Sequence, residues 1–254
     1  RHGAWPQPIP MRSCGGDDES PERVGKVIEL QGVGKIFNAG KSNEFKALSD
    51  VDLSIDGKGL SVFTGPSGSG KTTLLSIIGC MVRPSTGRVF VNAKEITSLP
   101  ERFAARIRRE VFGFVFQDYH LIHGLSVIDN VMLPAYPAGP DFKELRERAR
   151  MLIHRVDLTD KENEKVQYLS GGQRQRTAIA RALINDPEVI IADEPTAHLD
   201  THLAGKFLEI MTGLKAEGKT ILIGSHDPLI FNSPGVDRII EMRDGKVVRP
   251  GETP

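Results

Sequence analysis

From Lys26 onward, short apolar runs alternate with longer amphipathic ones. "KVIEL", "KALSDVDLSI", "LSVFTG" and "GRVFVNAKEI" are brief and rich in β-branched or apolar residues, which predicts strands gathered in a β-rich edge. Further along, "VFGFVFQ", "EVIIADE", "KTILIGSHD" and "DRIIEMRDGKVV" predict more strands. Amphipathic stretches such as "DFKELRERARMLIHRV" and "THLAGKFLEIMTGLKAEG" lie among these later strands and predict helices. Buried apolar strands alternating with such helices predict an α/β fold, a mostly parallel sheet with helices on its faces. From Asp118 to about Asp186 the strand signal gives way to helical periodicity, which predicts a helical lobe inserted into the chain order of the sheet.

The first 25 residues, "RHGAWPQPIPMRSCGGDDESPERVG", break this pattern. They are rich in Pro, Gly and charge and lack the apolar centre of a secretory signal, so a mobile tail is expected over 1–25, Trp5 included, and one domain over 26–254. Lys+Arg and Asp+Glu number 33 each, and a formal net charge of zero gives no global field that would draw in nucleic acid. The longest apolar runs are strand-length, far short of the roughly 20 residues of a membrane-spanning helix, so a soluble or peripheral chain is expected. The two cysteines, Cys14 and Cys80, stand in no metal-ligand spacing and are expected as free thiols.

Candidate chemistry begins at "GPSGSGKT", Gly65 to Thr72, which follows an apolar strand and opens the helix "KTTLLSIIGCMV". In that context the pattern predicts a phosphate loop: glycines let backbone N–H groups converge on phosphate oxygens and the helix N-terminus favours the anion. Lys71 is expected to reach the β and γ phosphates, and the Thr72 hydroxyl to ligate Mg²⁺. "VIIADE" delivers two carboxylates at a strand's C-terminal end, where open α/β sheets bind ligands. There Asp193 is expected to hold Mg²⁺ and Glu194 to polarise the attacking water. Gln117, ending "VFGFVF", and His226, after "TILIGS", are expected at the same edge, as a sensor of Mg²⁺ and water and as a γ-phosphate hydrogen-bond partner respectively. A histidine there also fits a purely structural role. "LSGGQ", Leu169 to Gln173, opens a second helix whose unpaired N–H groups suit an anion, although an ordinary Ser N-cap accounts for it equally well.

Taken in order, the P-loop, Gln117, "LSGGQ", "VIIADE", "AHLD" and "SHD" resemble the ATP-binding cassette (ABC) ATPases over about Lys26 to Arg249. The resemblance implies a P-loop NTPase core with an N-terminal antiparallel β subdomain and an inserted α-helical subdomain over about 118–186. It implies an ATPase with ATP and Mg²⁺ as its ligands, and a head-to-tail dimer of two copies. Ser170, Gly171, Gly172 and Gln173 of one copy would contact ATP held by the other's loop, Gly65, Ser67, Gly68, Ser69, Gly70, Lys71, Thr72 and Thr73. Phe37 matches the family's adenine-stacking aromatic, with Phe45 the alternative and a core position also open to Phe37. Asp200 matches the Asp closing the "AHLD" loop, and Thr72, Gln117 and Asp193 the Mg²⁺ residues.

"FGFVFQDYHLIHGLSVIDNVMLP" resembles cassettes of macrolide exporters and lipoprotein-release systems. This implies a transmembrane permease partner and a place at the cytoplasmic face of the inner (plasma) membrane. The short stretch after His226 suggests a minimal, separately encoded subunit. Two further readings stand beside transport: an ABC ATPase acting on nucleic acid or a cell-division complex, and a module that binds ATP without hydrolysing it. The first is disfavoured by the absence of sustained heptads, the second by Glu194 and His226.

Overall fold

The computed structural model describes residues 26–197 and 199–248; the expectations for 1–25, with Trp5 and Cys14, lie outside the described residues. Strands β1 (Lys26–Phe37) and β2 (Phe45–Asp56) form an antiparallel pair, followed by β3 (Leu60–Thr64) and helix α1 (Lys71–Ile78). Next come β4 (Thr86–Val91) and β5 (Lys94–Glu95), which complete a four-stranded sheet in the order β2-β1-β4-β5. Helix α2 (Glu101–Val111) then runs directly into β6 (Phe112–Val115).

Helices α3 (Val127–Met132), α4 (Phe142–Arg155) and α5 (Gly171–Leu183) follow, joined by short 3₁₀ turns. The chain closes with β7 (Val189–Asp193), α6 (Thr201–Ala216), β8 (Thr220–Gly224), α7 (Pro228–Phe231), β9 (Arg238–Arg243) and β10 (Lys246–Val247). The second sheet has the order β10-β9-β3-β8-β7-β6, parallel from β9 to β6, with β10 returning antiparallel.

Three details depart from the sequence expectations. The run "LSVFTG" leaves the β-rich edge: β3 lies inside the parallel sheet, flanked by β9 and β8. Leu60, Val62 and Phe63 are all fully buried there, because this strand is covered on both faces. Val111 ends a helix instead of opening a strand, since Ala104, Ile107 and Val111 continue a helical period that the sequence reading left unassigned. Finally, β6 stops at Val115 and β8 at Gly224, so Gln117 and His226 stand in the loops just beyond their strands.

The parallel sheet separates two cores, and the two-residue period of its strands divides their side chains between them. Phe63, Ile191 and Leu222 face the antiparallel sheet and α1, while Val62, Ile190, Ala192, Ile221 and Ile223 face the helical layer of α3 to α6. Helix α5 lies so close to β6 that a Cβ on Gly113 would come within 2.4 Å of the Ala182 carbonyl oxygen. Gly113→Ala is therefore expected to destabilise the fold by about 1–3 kcal/mol, the usual range for overpacking, read as a lower urea midpoint with an unchanged m-value.

Candidate functional site

The loop from Gly65 to Gly70 leaves β3 at the C-terminal edge of the parallel sheet and feeds α1, whose first residue is Lys71. Gly65 has φ 140° and lies where a Cβ would approach the Met242 carbonyl oxygen to 2.1 Å, so only glycine fits. Lys71 is 6% exposed. Its ammonium donates to the carbonyls of Gly65 (2.7 Å) and Pro66 (3.2 Å) and lies 3.8 Å from the Glu194 carboxylate. Ser67 and Gly68 form the exposed rim of the loop, Ser69 is buried beneath it, and Thr72 and Thr73 follow on α1.

Two carboxylates end β7 in different surroundings. Asp193 closes the strand beside Thr72, whose hydroxyl hydrogen-bonds it, and burial pushes the Asp193 carboxyl above its ordinary pKa. Its Oδ1 is buried with no donor among the described residues. Such an acceptor suits a divalent cation or a water held by one, and with the Thr72 hydroxyl and the Gln117 amide it supplies the oxygen ligands Mg²⁺ prefers. Thr72, Gln117 and Asp193 line one cavity of about 210 Å³.

Glu194 turns out of the strand with φ 44°, a left-handed conformation that costs a non-glycine residue about 1–3 kcal/mol. The turn is held by its N–H donating to the Gly224 carbonyl at 2.8 Å. The consequence is that Glu194 Oε1 lies 2.9 Å from His226 Nδ1 as well as near Lys71. P-loop lysine, carboxylate and histidine are thus joined across three neighbouring strand ends, β3, β7 and β8.

The remaining candidates stand apart from this group. Ser170 caps α5 in a reciprocal box: its Oγ accepts from the Gln173 N–H, and Gln173 Oε1 accepts from the Ser170 N–H at 2.9 Å. The Gln173 side chain is thereby engaged on its own helix. Space around Gly171 is open, whereas Gly172 packs on Leu203. Asp200 is the N-cap of α6, accepting from the Leu203 N–H. Phe37 and Phe45 sit opposite each other on β1 and β2, 37% and 57% exposed, which removes the core alternative for Phe37. The Lys35 ammonium lies 4.9 Å from the Phe37 ring centroid.

Sequence reasoning missed two residues on α5. Gln175 is buried and donates to the Pro195 carbonyl at 2.8 Å, and Arg181 donates to the carbonyls of Tyr119 and His120. Both lie in the helical run after "LSGGQ", and neither motif nor spacing marks which carbonyl they would find.

A glycine-rich loop leading from a buried parallel strand into a helix, with an acidic strand end beside it, defines the class of P-loop nucleotide-binding proteins. The ABC transporter family model matches residues 48–197, and the chain belongs to that family. It is 44% identical over 230 residues to the macrolide export ATP-binding/permease protein MacB of Chromobacterium violaceum, an alignment covering 91% of this chain and 35% of that protein. MacB 1/2 of Paracoccus denitrificans is 41% identical, with 89% and 34% covered. The chain thus spans about a third of the length of the curated relatives it matches. Among solved structures, the dimeric bacterial ABC transporter cassette MJ0796 superposes with a TM-score of 0.80 at 38% identity, covering 87% of this chain and 97% of that one. The post-hydrolysis dimer of the same cassette, bound to ADP and Pi, gives 0.80 at 37% identity with the same coverage.

Asp193→Asn is expected to raise the thermal midpoint of the nucleotide-free chain at pH 7 while abolishing the stabilisation conferred by Mg²⁺ with ATP. The sign follows from the raised pKa: the native state holds the proton more tightly than the unfolded one, so the charge costs stability above the native pKa. The advantage of the variant should therefore shrink as pH falls through the raised native pKa towards the ordinary carboxylate value, which thermal melts at a series of pH values will measure.

Proposed function

We propose that this chain is an ATP-hydrolysing cassette that works as a dimer of two copies and drives a membrane permease of the export class. The observation that carries this reading is the contact of Glu194 with both Lys71 and His226 at the mouth of the P-loop. A γ-phosphate bound by the loop N–H groups and Lys71 places its reacting phosphorus next to the carboxylate best able to polarise a water. His226 orients Glu194 and the phosphate. Thr72, Asp193 and Gln117 hold Mg²⁺, which when bound neutralises charge building on the phosphate oxygens. Phe37 offers its exposed face to adenine, with Phe45 beside it. Ser170 to Gln173 act on the ATP of the second copy, and Asp200 works at the same dimer face.

The export direction and the permease rest on the likeness to the macrolide export ATP-binding/permease proteins. In this reading the permease supplies the membrane-spanning part and holds the cassette at the cytoplasmic face; among the described residues no helix is long and apolar enough to cross a membrane. Nucleic acid is not a partner in this reading, consistent with the zero net charge.

Glu194→Gln is expected to retain ATP, lose turnover and accumulate as a dimer on size-exclusion chromatography with Mg²⁺ and ATP; ordinary turnover would remove Glu194 from its role. The shared site is tested by mixing two inactive variants, Lys71→Ala and Gly171→Asp. The open space at Gly171 lets the aspartate fold while setting a carboxylate against phosphate. Heterodimers with both lesions in one site keep the other intact, so part of the ATPase activity should return on mixing. With subunit exchange verified by crosslinking, and trapped nucleotide counted alongside released phosphate, a flat response at every ratio would contradict the composite site.

A further inference from the structure

Two consecutive residues just after Gln117 adopt left-handed backbone: Tyr119 with φ 59° and His120 with φ 46°. Neither is glycine, and each such residue costs about 1–3 kcal/mol unless its surroundings over-determine it. Local bonds supply part of the constraint, with the Tyr119 N–H donating to the Phe116 carbonyl and the His120 N–H to that of Asp118. They close the turn but leave it without an anchor to the rest of the protein.

Arg181, in the last turn of α5, supplies that anchor. One guanidinium nitrogen donates to the Tyr119 carbonyl at 2.6 Å and another to the His120 carbonyl, so a planar fork grips two successive peptide groups. Two turns earlier on the same helix, the Arg174 guanidinium lies 5.9 Å from the ring centroid of Tyr119, itself 7% exposed. Burial lowers the Arg181 pKa. A partly buried cation that donates to backbone carbonyls adds little net stability to a fold, so its value lies in geometry.

That geometry bears on the nucleotide site. Gln117 and His120 line the same cavity as Thr72 and Asp193, and the ring of Phe116, the residue before Gln117, packs on the His120 ring with centroids 4.8 Å apart. We infer that Arg181 is a positioning residue for Gln117, fixing the loop that carries the amide to the edge of the Mg²⁺ and water site. The inference rests on the role proposed for Gln117. It also ties that loop to the helix whose N-terminus carries Ser170 to Gln173, so displacement of α5 would displace Gln117.

The test uses the full chain with Arg181→Gln and Arg181→Lys. Arg181→Gln is expected to lower kcat for ATP by about tenfold, as misplacement of a positioned group does, with the affinity for a labelled ATP analogue held within about twofold. Arg181→Lys, which can still reach one carbonyl, should recover part of the loss. In a Gln117→Ala background the further effect of Arg181→Gln should fall below about twofold, because residues acting as a unit are non-additive. Full additivity, or equal losses in kcat and nucleotide affinity, would overturn the inference. Amide exchange gives an answer independent of turnover: residues 117–121 should exchange about tenfold faster in Arg181→Gln, and by less in Arg181→Lys, while β7 keeps its protection. Unchanged exchange there would overturn it even if activity fell. Absence of turnover in the wild-type chain would instead strike at the proposed function and leave the anchor to be judged by exchange.

Discussion

A buried ammonium group organises this protein. Lys71 is withdrawn from water at the start of α1, and a charge in that position persists only if oxygen atoms surround it. They come from three sources at once: the carbonyls of Gly65 and Pro66 in its own loop, and the Glu194 carboxylate from the end of β7. Holding them together requires β3 and β7 on either side of β8, in register, with their C-terminal ends level. The parallel sheet, buried on both faces, meets that requirement, because its strand edge is the one place where polar groups from several strands converge.

The same edge contains its own strain. Glu194 leaves the strand in a left-handed turn, as do Tyr119 and His120 beyond β6. Each turn is held from outside itself. The Gly224 carbonyl takes the Glu194 N–H, Gln175 donates to the next carbonyl at Pro195, and Arg181 grips the carbonyls after Gln117. Two of these three holds come from α5. A single helix therefore registers the carboxylate turn and the amide loop, and its N-terminus carries the Ser170 cap. In a dimer built on that N-terminus, a change at one nucleotide would reach the groups surrounding the other through a rigid element and two hydrogen-bonded side chains.

The electrostatics of this edge also bear on binding. The Lys71 ammonium has Glu194 as its nearby anion, and Glu194 has His226. In the proposed reaction a γ-phosphate would compete with Glu194 for the lysine. The buried, donor-free Oδ1 of Asp193 is the counterpart for a cation. The Asp193 carboxylate thus carries an electrostatic cost that a bound cation would relieve, the usual trade between stability and function at an active site.

Much of this was legible along the chain, for local reasons. Continuous apolar runs declare strands covered on both faces, and "GPSGSGKT" after such a run declares a phosphate loop, because glycine spacing and helix start are properties of adjacent residues. Carboxylates at the end of "VIIADE" follow from the same reasoning, as does the Ser170 cap of α5. The sequence did not disclose that β3 belongs inside the parallel sheet, nor that residues 101–111 form a helix whose apolar face is thin. Neither did it disclose which carbonyl Arg181 or Gln175 would find. Strand order and long-range hydrogen bonds depend on which faces are left to cover once the chain has folded back, and the partners involved stand 20 to 62 residues apart. Periodicity reports which side of an element is buried; only the packed structure decides what it is buried against.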